Sequence, residues 1–456
     1  MMEAKKATSE GSGGQWNRRD FLKNSSAMLG GAAALTAAPF VITTHAAPDD
    51  PIRIGVIGCG GRGTGAVLDA IGAATKVIYP SAGYHTEDVA TNATVAQKGI
   101  QVTALADLFP DRLESCRGNL KKLGITIPDE LCFSGFDAYK KLLAVGEINY
   151  VILAEPPHFR PAHLMAAIEA GKNVFMEKPA AVDGPGIRMV LEAAELAKQK
   201  GLGIAAGTQR RHQKGYLETI KRIQEGAIGD LIYGRCYWNG GEIWVIEREP
   251  GWTDMEWQAR NWNYFTWLGG DHIVEQHVHS LDVMHWVVGA NPIKATALGG
   301  RQVRVGERHG HIFDHFAVEF EYANGLRVFS QCRQINNCEN KVEEAVKGSK
   351  GTSNCSNLIL AEGASPWRFR DKETNPYQQE HEDLITSIRA GVPINEGKNV
   401  AESTMMGIMG RESAYSGRSI TWEELLKSAV RLGPEQYEFG PLPFPPVALP
   451  GNYKLG

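Results

Sequence analysis

The 456-residue sequence predicts an α/β chain in two parts. An N-terminal doubly wound parallel sheet comes first, then an α+β domain with a large, open, mostly antiparallel sheet. Three observations carry this expectation. Apolar strands alternate with helical segments between residues 52 and 206, the pattern of βαβ units. The first strand runs directly into a glycine-rich turn and a helix. Past residue 231, strands of alternating polarity meet at Asn324-Gly325, a strong hairpin signal.

Composition narrows the class. Forty-three per cent hydrophobic and 22% charged residues describe an ordinary globular chain and exclude disorder. A formal charge of −4 gives no general attraction to nucleic acid or anionic lipid. Seven cysteines, scattered and without C-x-x-C, argue against a disulfide scaffold or zinc ribbon and read as buried thiols. Asn17-Arg18-Arg19-Asp20-Phe21-Leu22-Lys23, an apolar run over 27–42 and Thr44-His45-Ala46 resemble a twin-arginine export signal. Residues 1–47 are therefore expected to be a cleaved signal recognised by the twin-arginine export machinery, placing a bacterial protein in the periplasm or beyond. The alternative is a single membrane anchor, for which about sixteen apolar residues broken by glycines are short.

The elements of the first domain, 50–211, follow in order. Residues 52–57 form a buried strand, and Gly58-Cys59-Gly60-Gly61-Arg62-Gly63 opens the next helix. In this Rossmann fingerprint Gly58 permits the tight turn, Gly60 lets a pyrophosphate approach, and Gly63 lets helix and strand pack closely. The helix N-terminus offers free N–H groups to phosphate. A second strand, 102–106, ends in Asp107, placed to accept from a ribose and to disfavour a 2′-phosphate, hence NAD over NADP. The other reading of Asp107 is a helix cap. An insertion over 77–99 separates it from the glycines. Strands 150–154, 173–176 and 203–206 alternate with helices 162–170 and 186–200. Their C-terminal ends carry Glu155-Pro156-Pro157-His158, Glu177-Lys178-Pro179 and Gly207-Thr208-Gln209-Arg210-Arg211.

The second domain, 212–430, begins with a helix over 216–228 and a strand over 232–238. A hairpin spans 315–331, and helices at 379–390 and 402–415 pack back on the core. Residues 431–456, proline-rich near their end, read as an extended arm. Six of ten tryptophans (238, 244, 252, 257, 262, 267) crowd one stretch. Aromatic faces suit sugar rings, and Trp262, flanked by Asn261 and Asn263, is the choice for a substrate contact; core packing is the other reading. Gly269-Gly270-Asp271-His272 leads into Glu275, His279 and Asp282, spaced to share one helix face. His272, Glu275 and His279 could also present zinc ligands; no metal is assigned.

Taken in this order, Gly58–Gly63, Pro156-Pro157-His158, Glu177-Lys178-Pro179 and Gly207-Thr208-Gln209 resemble the Gfo/Idh/MocA oxidoreductase family across roughly 51–425. The resemblance implies NAD held by Gly58, Gly60, Arg62, Gly63, Asp107, Glu155, Pro156, His158, Glu177, Lys178 and Gln209. It implies His279 as catalytic histidine with Lys178 and Glu275 assisting, Asp282 as the acid that follows, and a homo-oligomer formed through the open sheet. Beside it, Arg210, at the domain junction, and Trp262 are read from their placement as substrate contacts with Asp282; the other reading of Arg210 and Arg211 is an interdomain ion pair. Departures are Glu155, Arg160, Glu275 in place of an aspartate, and His277 in place of a glycine.

The chemistry of the residues agrees. Oxidising a CH–OH needs hydride removal from carbon and proton removal from oxygen, and histidine is a natural base near neutral pH. Lys178 either holds the oxygen as charge develops or is itself the base; Glu275 orients the imidazole or binds a second hydroxyl. The expectation is an exported, NAD-dependent oxidoreductase acting on a sugar or glycoside. The alternatives are a glycoside-cleaving enzyme working by transient oxidation, elimination and re-reduction, and a non-catalytic sugar sensor that keeps NAD.

Overall fold

The computed structural model describes residues 50–73, 75–77, 86–89 and 93–454; the expected export signal lies outside them. The first part is built from β1 (Ile52–Ile57), the hairpin β2 (Thr75–Val77) and β3 (Thr86–Val89), then β4 (Ile100–Asp107), β5 (Cys132–Ser134), β6 (Tyr150–Leu153), β7 (Asn173–Met176) and β8 (Ile204–Ala206). Six of these form one wholly parallel sheet in the order β5-β4-β1-β6-β7-β8. Helices cover both faces, so β1 and β6 are apolar along almost their whole length. The hairpin β2–β3 belongs to the insertion between the first helix and β4.

The second sheet has nine strands: β9 (Leu231–Gly240), β10 (Lys294–Gly300), β11 (His315–Glu321), β12 (Arg327–Gln334), β13 (Lys341–Gly348), β14 (Gly351–Ser353), β15 (Leu358–Ala361), β16 (Trp367–Arg368) and β17 (Ile420–Thr421). Their order is β16-β15-β14-β13-β9-β12-β11-β10-β17. β9 and β12 pair in parallel; every other pair is antiparallel. In β11, Phe316, Val318 and Phe320 point to the core while Ala317, Glu319 and Glu321 alternate outward, as one-sided burial requires.

The helix Gly397–Ser416 runs through the core and packs on β10, the helix Gly184–Lys200 and the helix Val278–Val288. Its Met405, Met406 and Met409 are fully buried. Gly407 and Gly410 let the segment holding Ile273 and Val274 lie directly against it: a Cβ on Gly410 would come 2.8 Å from Ile273 Cδ1. The fully buried Arg411 donates to Val182 O (2.8 Å) and Gly270 O (3.1 Å) and pairs with Glu412 at 2.6 Å. One side chain thus ties the chain after β7 to the segment that precedes Glu275.

From Ser428 to Lys454 the chain has neither helix nor strand and lies across the molecule. Leu432 N donates to Asp183 Oδ2 (2.8 Å), Phe439 stacks with Phe109 at 6.0 Å, and Phe444 packs on Phe265 and His311. Much of the tryptophan-rich stretch closes into a core with this arm: Trp257 and Trp267 are buried beside Leu442 and Phe444.

Removing Arg411 leaves two carbonyls in the interior without their donor and Glu412 with only the Tyr453 hydroxyl, at 3.0 Å. Arg411→Leu is expected to cost about 3–5 kcal/mol in denaturant unfolding. Arg418→Leu, which breaks the exposed pair with Glu424, is expected to cost under about 1 kcal/mol.

Candidate active site

The glycine turn has three distinct demands. Gly58 has φ 91°, and a Cβ there would meet Glu155 N at 2.5 Å. Gly63 sits so close to the turn that a Cβ would fall 1.7 Å from Gly58 O. At Gly60 a Cβ would meet only Arg112 Nη1, at 3.9 Å, leaving open space in front of the turn. The helix Gly61–Ala70 has no side-chain cap, so its first N–H groups remain for an anion. At the ends of β6 and β8, the buried carboxylate oxygens of Glu155, Thr208 Oγ1 and Gln209 Oε1 lack hydrogen-bond partners. An open second glycine and orphaned polar atoms on the strand ends fit a bound dinucleotide.

Asp107 accepts from Cys59 N (2.6 Å) and Phe109 N (2.8 Å). It braces the glycine turn and holds Phe109 ahead of the next helix, but that helix has no side-chain cap, so the capping reading is not what the structure shows. Each oxygen keeps a free lone pair for a ribose. Burial raises its pKa against the pull of those N–H groups and of Arg112.

The side chains expected at cofactor and substrate have the following partners within the chain. Arg62 and Glu177, both expected on the cofactor, bond to each other at 2.5 Å, and Arg62 also reaches Asp69 (3.3 Å) and Glu380 (3.5 Å) over the ring of Tyr377. Burial disfavours the Glu177 carboxylate, and Arg62 outweighs it, holding the pKa low. Asp282, expected toward substrate, takes Arg211 on both oxygens (2.8 and 2.9 Å). Arg210, also expected there, pairs with Glu344 at 2.5 Å and reaches Ser280 Oγ at 3.3 Å. Both arginines are thus ion pairs between the two parts of the chain.

His158 Nε2 bonds Tyr437 OH at 2.7 Å, and its ring meets Trp267 edge-on. Burial, with Arg431 and His163 nearby, lowers its pKa to about 3. Pro156 sits partly buried beside it. Glu155 lies 3.2 Å from His163 Nδ1 without hydrogen-bond geometry. Fully buried Arg160 bonds both Glu155 O and Pro179 O, pinning the ends of β6 and β7 together. Gln209 Nε2 reaches Tyr377 OH at 3.3 Å.

At the centre, Lys178 Nζ donates to Glu275 Oε1 (2.8 Å) and to Glu275 O (2.6 Å), joining segments 97 residues apart. Glu275 thus serves Lys178; the expected support of the imidazole is corrected. The expected single helix face is also corrected: His272–Glu275 and Val278–Val288 are separate helices. The break comes where Gln276 bonds Gln334 (2.8 Å) and His277 bonds Ser330 (2.7 Å). His279 stacks with Trp238 at 5.6 Å and 26°, and its Nδ1 is buried without a partner. Burial, then the charges of Lys178, Arg210 and Arg62, hold its pKa well below the ordinary histidine value, so the imidazole is neutral at pH 7. Trp262 is partly buried against Trp244 at 5.7 Å.

His272 is fully buried, its Nδ1 3.0 Å from Asp271. Among the described residues no three His, Cys, Asp or Glu side chains converge as metal ligands, and the His272/Glu275/His279 set is not assembled. Sequence reasoning missed Tyr377 and Arg112, and counted Trp238 in the tryptophan cluster without linking it to His279. Arg112, five residues after Asp107 at the start of a helix facing the glycine turn, was within reach of it.

Comparison with known proteins bears on this geometry. Residues 52–208 match the profile described as "Oxidoreductase family, NAD-binding Rossmann fold", and 216–354 match the "GFO/IDH/MocA C-terminal domain". Inositol 2-dehydrogenase 3 of Saccharopolyspora erythraea is 25% identical over 81% of this chain and 90% of its own length. An oxidoreductase of Streptococcus pneumoniae is 27% identical, covering 50% of this chain, which spans only 54% of that protein. The 2,7-anhydro-N-acetylneuraminate hydratase of Mediterraneibacter gnavus is 26% identical over 44% of this chain and 50% of its own length. In fold, the chain resembles the aldose-aldose oxidoreductase of Caulobacter crescentus (TM-score 0.60, 17% identity, 81% and 99% covered). It also resembles an Agrobacterium radiobacter oxidoreductase in complex with NAD+, L-tartaric acid and magnesium (TM-score 0.58, 15% identity, 82% and 98% covered). With both matched regions in sequence, and with Lys178 and Arg62 of the glycine turn near enough to act on His279, the chain belongs to the Gfo/Idh/MocA family of NAD-binding oxidoreductases.

Proposed function

We propose that this protein moves a hydride between a ring carbinol of a sugar, cyclic polyol or glycoside and a retained NAD. The observation that carries the reading is the Lys178–Glu275 contact at 2.8 Å beside a neutral His279. When bound, NAD supplies the hydride acceptor and donor. The glycine turn, the free helix N-terminus and Asp107 would hold its pyrophosphate and ribose.

The remaining work falls to side chains of this chain. Neutral His279 is ready to take the carbinol proton at pH 7. The Lys178 ammonium is a donor for an oxygen gaining negative charge. Glu275 keeps that ammonium in place in the absence of substrate. Trp262 and Trp244 offer aromatic faces to a ring. The inositol 2-dehydrogenase relative supports a polyol or sugar substrate; the hydratase relative supports the second reading, cleavage through transient oxidation, elimination and re-reduction. Incubating purified protein with a glycoside panel and no added cofactor separates the two. A keto-sugar that forms only with an added acceptor supports net oxidation, aglycone release without net reduced cofactor supports cleavage, and no turnover on any member overturns both.

The reading extends to location and assembly. Arg18-Arg19 and the apolar stretch behind them support export of a folded, loaded enzyme, where scarce free NAD favours retention. The open face of the second sheet, with Leu298 and Phe329 exposed, suits a homo-oligomer contact.

Lys178→Ala is expected to lower kcat by about 10²–10⁴-fold while bound NAD, measured by mass spectrometry of the intact protein, stays unchanged. The acid limb of kcat/KM set by His279 should lie below pH 6.5. Removing a neighbouring positive charge in Arg210→Gln raises the imidazole pKa, so this limb should move to higher pH. Replacing Arg18 and Arg19 together by lysine should leave the protein in the cytoplasm, scored by cell fractionation.

A further inference from the structure

The segment that delivers Glu275 begins at a backbone position unusual for its residue. Asp271 has φ 74° and ψ 161°, a region essentially reserved for glycine, and it follows the left-handed Gly270 (φ 79°). A side chain held there needs its surroundings to over-determine it, and they do. Asp271 is fully buried, and four donors converge on it. Oδ1 accepts from His272 N (2.5 Å) and lies 3.0 Å from His272 Nδ1; Oδ2 accepts from Tyr415 OH (2.5 Å) and Phe313 N (2.8 Å). Burial disfavours its charge, yet those donors keep its pKa below the usual carboxylate value.

The anchors come from outside the segment. Tyr415 and Arg411 lie on the core helix Gly397–Ser416, one gripping the Asp271 carboxylate and the other Gly270 O. Phe313 precedes β11. Two consecutive residues at positive φ reverse the chain, and the reversal starts the short helix His272–Glu275 that ends on Lys178. A glycine would accept these angles without strain but could not fasten them to the core.

We propose that Asp271 is a positioning residue, whose carboxylate fastens the reversed backbone to Tyr415 and Phe313 so that Glu275 meets Lys178 and His279 is held beside Trp238. The inference deepens the oxidoreductase reading, on which its kinetic consequences rest, and names a residue that touches none of the reacting groups.

The test uses the full mature chain with its bound NAD. Asp271→Gly keeps the backbone angles and removes the anchor; Tyr415→Phe removes one donor and leaves the aspartate. Both are expected to lower kcat about 10- to 100-fold with KM within about threefold, at unchanged NAD content. Combining Asp271→Gly with Glu275→Gln should cost little more than Glu275→Gln alone, because both act through the same contact. A second readout needs no turnover. His279, faced by Lys178, Arg210, Arg62 and His277, stays neutral well below pH 6.5. Its titration by NMR of histidine-labelled protein should move toward 6.5 in both variants as the segment slackens. Unchanged kcat together with an unchanged His279 titration in Asp271→Gly would overturn the proposal, as would fully multiplicative losses in the double variant. Should Asp271→Gly not fold, Tyr415→Phe carries the same two outcomes. If the wild type turns over nothing, the oxidoreductase reading fails, while the His279 titration still decides the role of Asp271.

Discussion

The contact between Lys178 and Glu275 is the constraint on which the site depends. One partner lies two residues past a strand of the parallel sheet; the other ends a four-residue helix of the second domain. An ammonium that is largely out of water needs a carboxylate close by, and the chain supplies it from 97 residues away. The same logic repeats around the cleft: Arg62 with Glu177, Arg210 with Glu344, Arg211 with Asp282. Three of these four pairs, those of Lys178, Arg210 and Arg211, cross between the domains. The boundary between the domains is fixed by charge as much as by apolar packing.

These pairs leave His279 in a particular position. The cations nearest it are balanced by their own carboxylates, yet their fields still reach the imidazole, and among the described residues no acid bonds to it. The ring is therefore held neutral by burial and by positive neighbours together. A histidine buttressed by a carboxylate would be a stronger base; under the proposed reaction this one would hold a proton only briefly, with Lys178 stabilising the developing negative charge.

How far the sequence could be read follows from the range of each interaction. The glycine turn was legible because each glycine answers a need set within a few residues or by the adjacent strand. The alternating polarity of β11 was legible because it records one-sided burial. The break in the helix before His279 was hidden, since the apolar periodicity runs on without interruption. It arises where Gln276 and His277 are drawn to Gln334 and Ser330 on β12. Likewise nothing local in Asp282 distinguishes a substrate ligand from the partner of Arg211, and three-residue β5 is too short for a periodic signal. The parallel pairing of β9 with β12 joins strands separated by 86 positions or more and has no signature in either strand.

The arm from Ser428 onward has a temporal consequence. The parallel sheet is complete at Ala206, but the loops that follow β4, β5 and β6 receive Tyr437 and Phe439 only from the last tenth of the chain. During synthesis those loops stay uncovered until Tyr437 and Phe439 have been made, long after the last parallel strand at Ala206. A chain interrupted between these points carries a whole parallel sheet whose loops lack their aromatic cover.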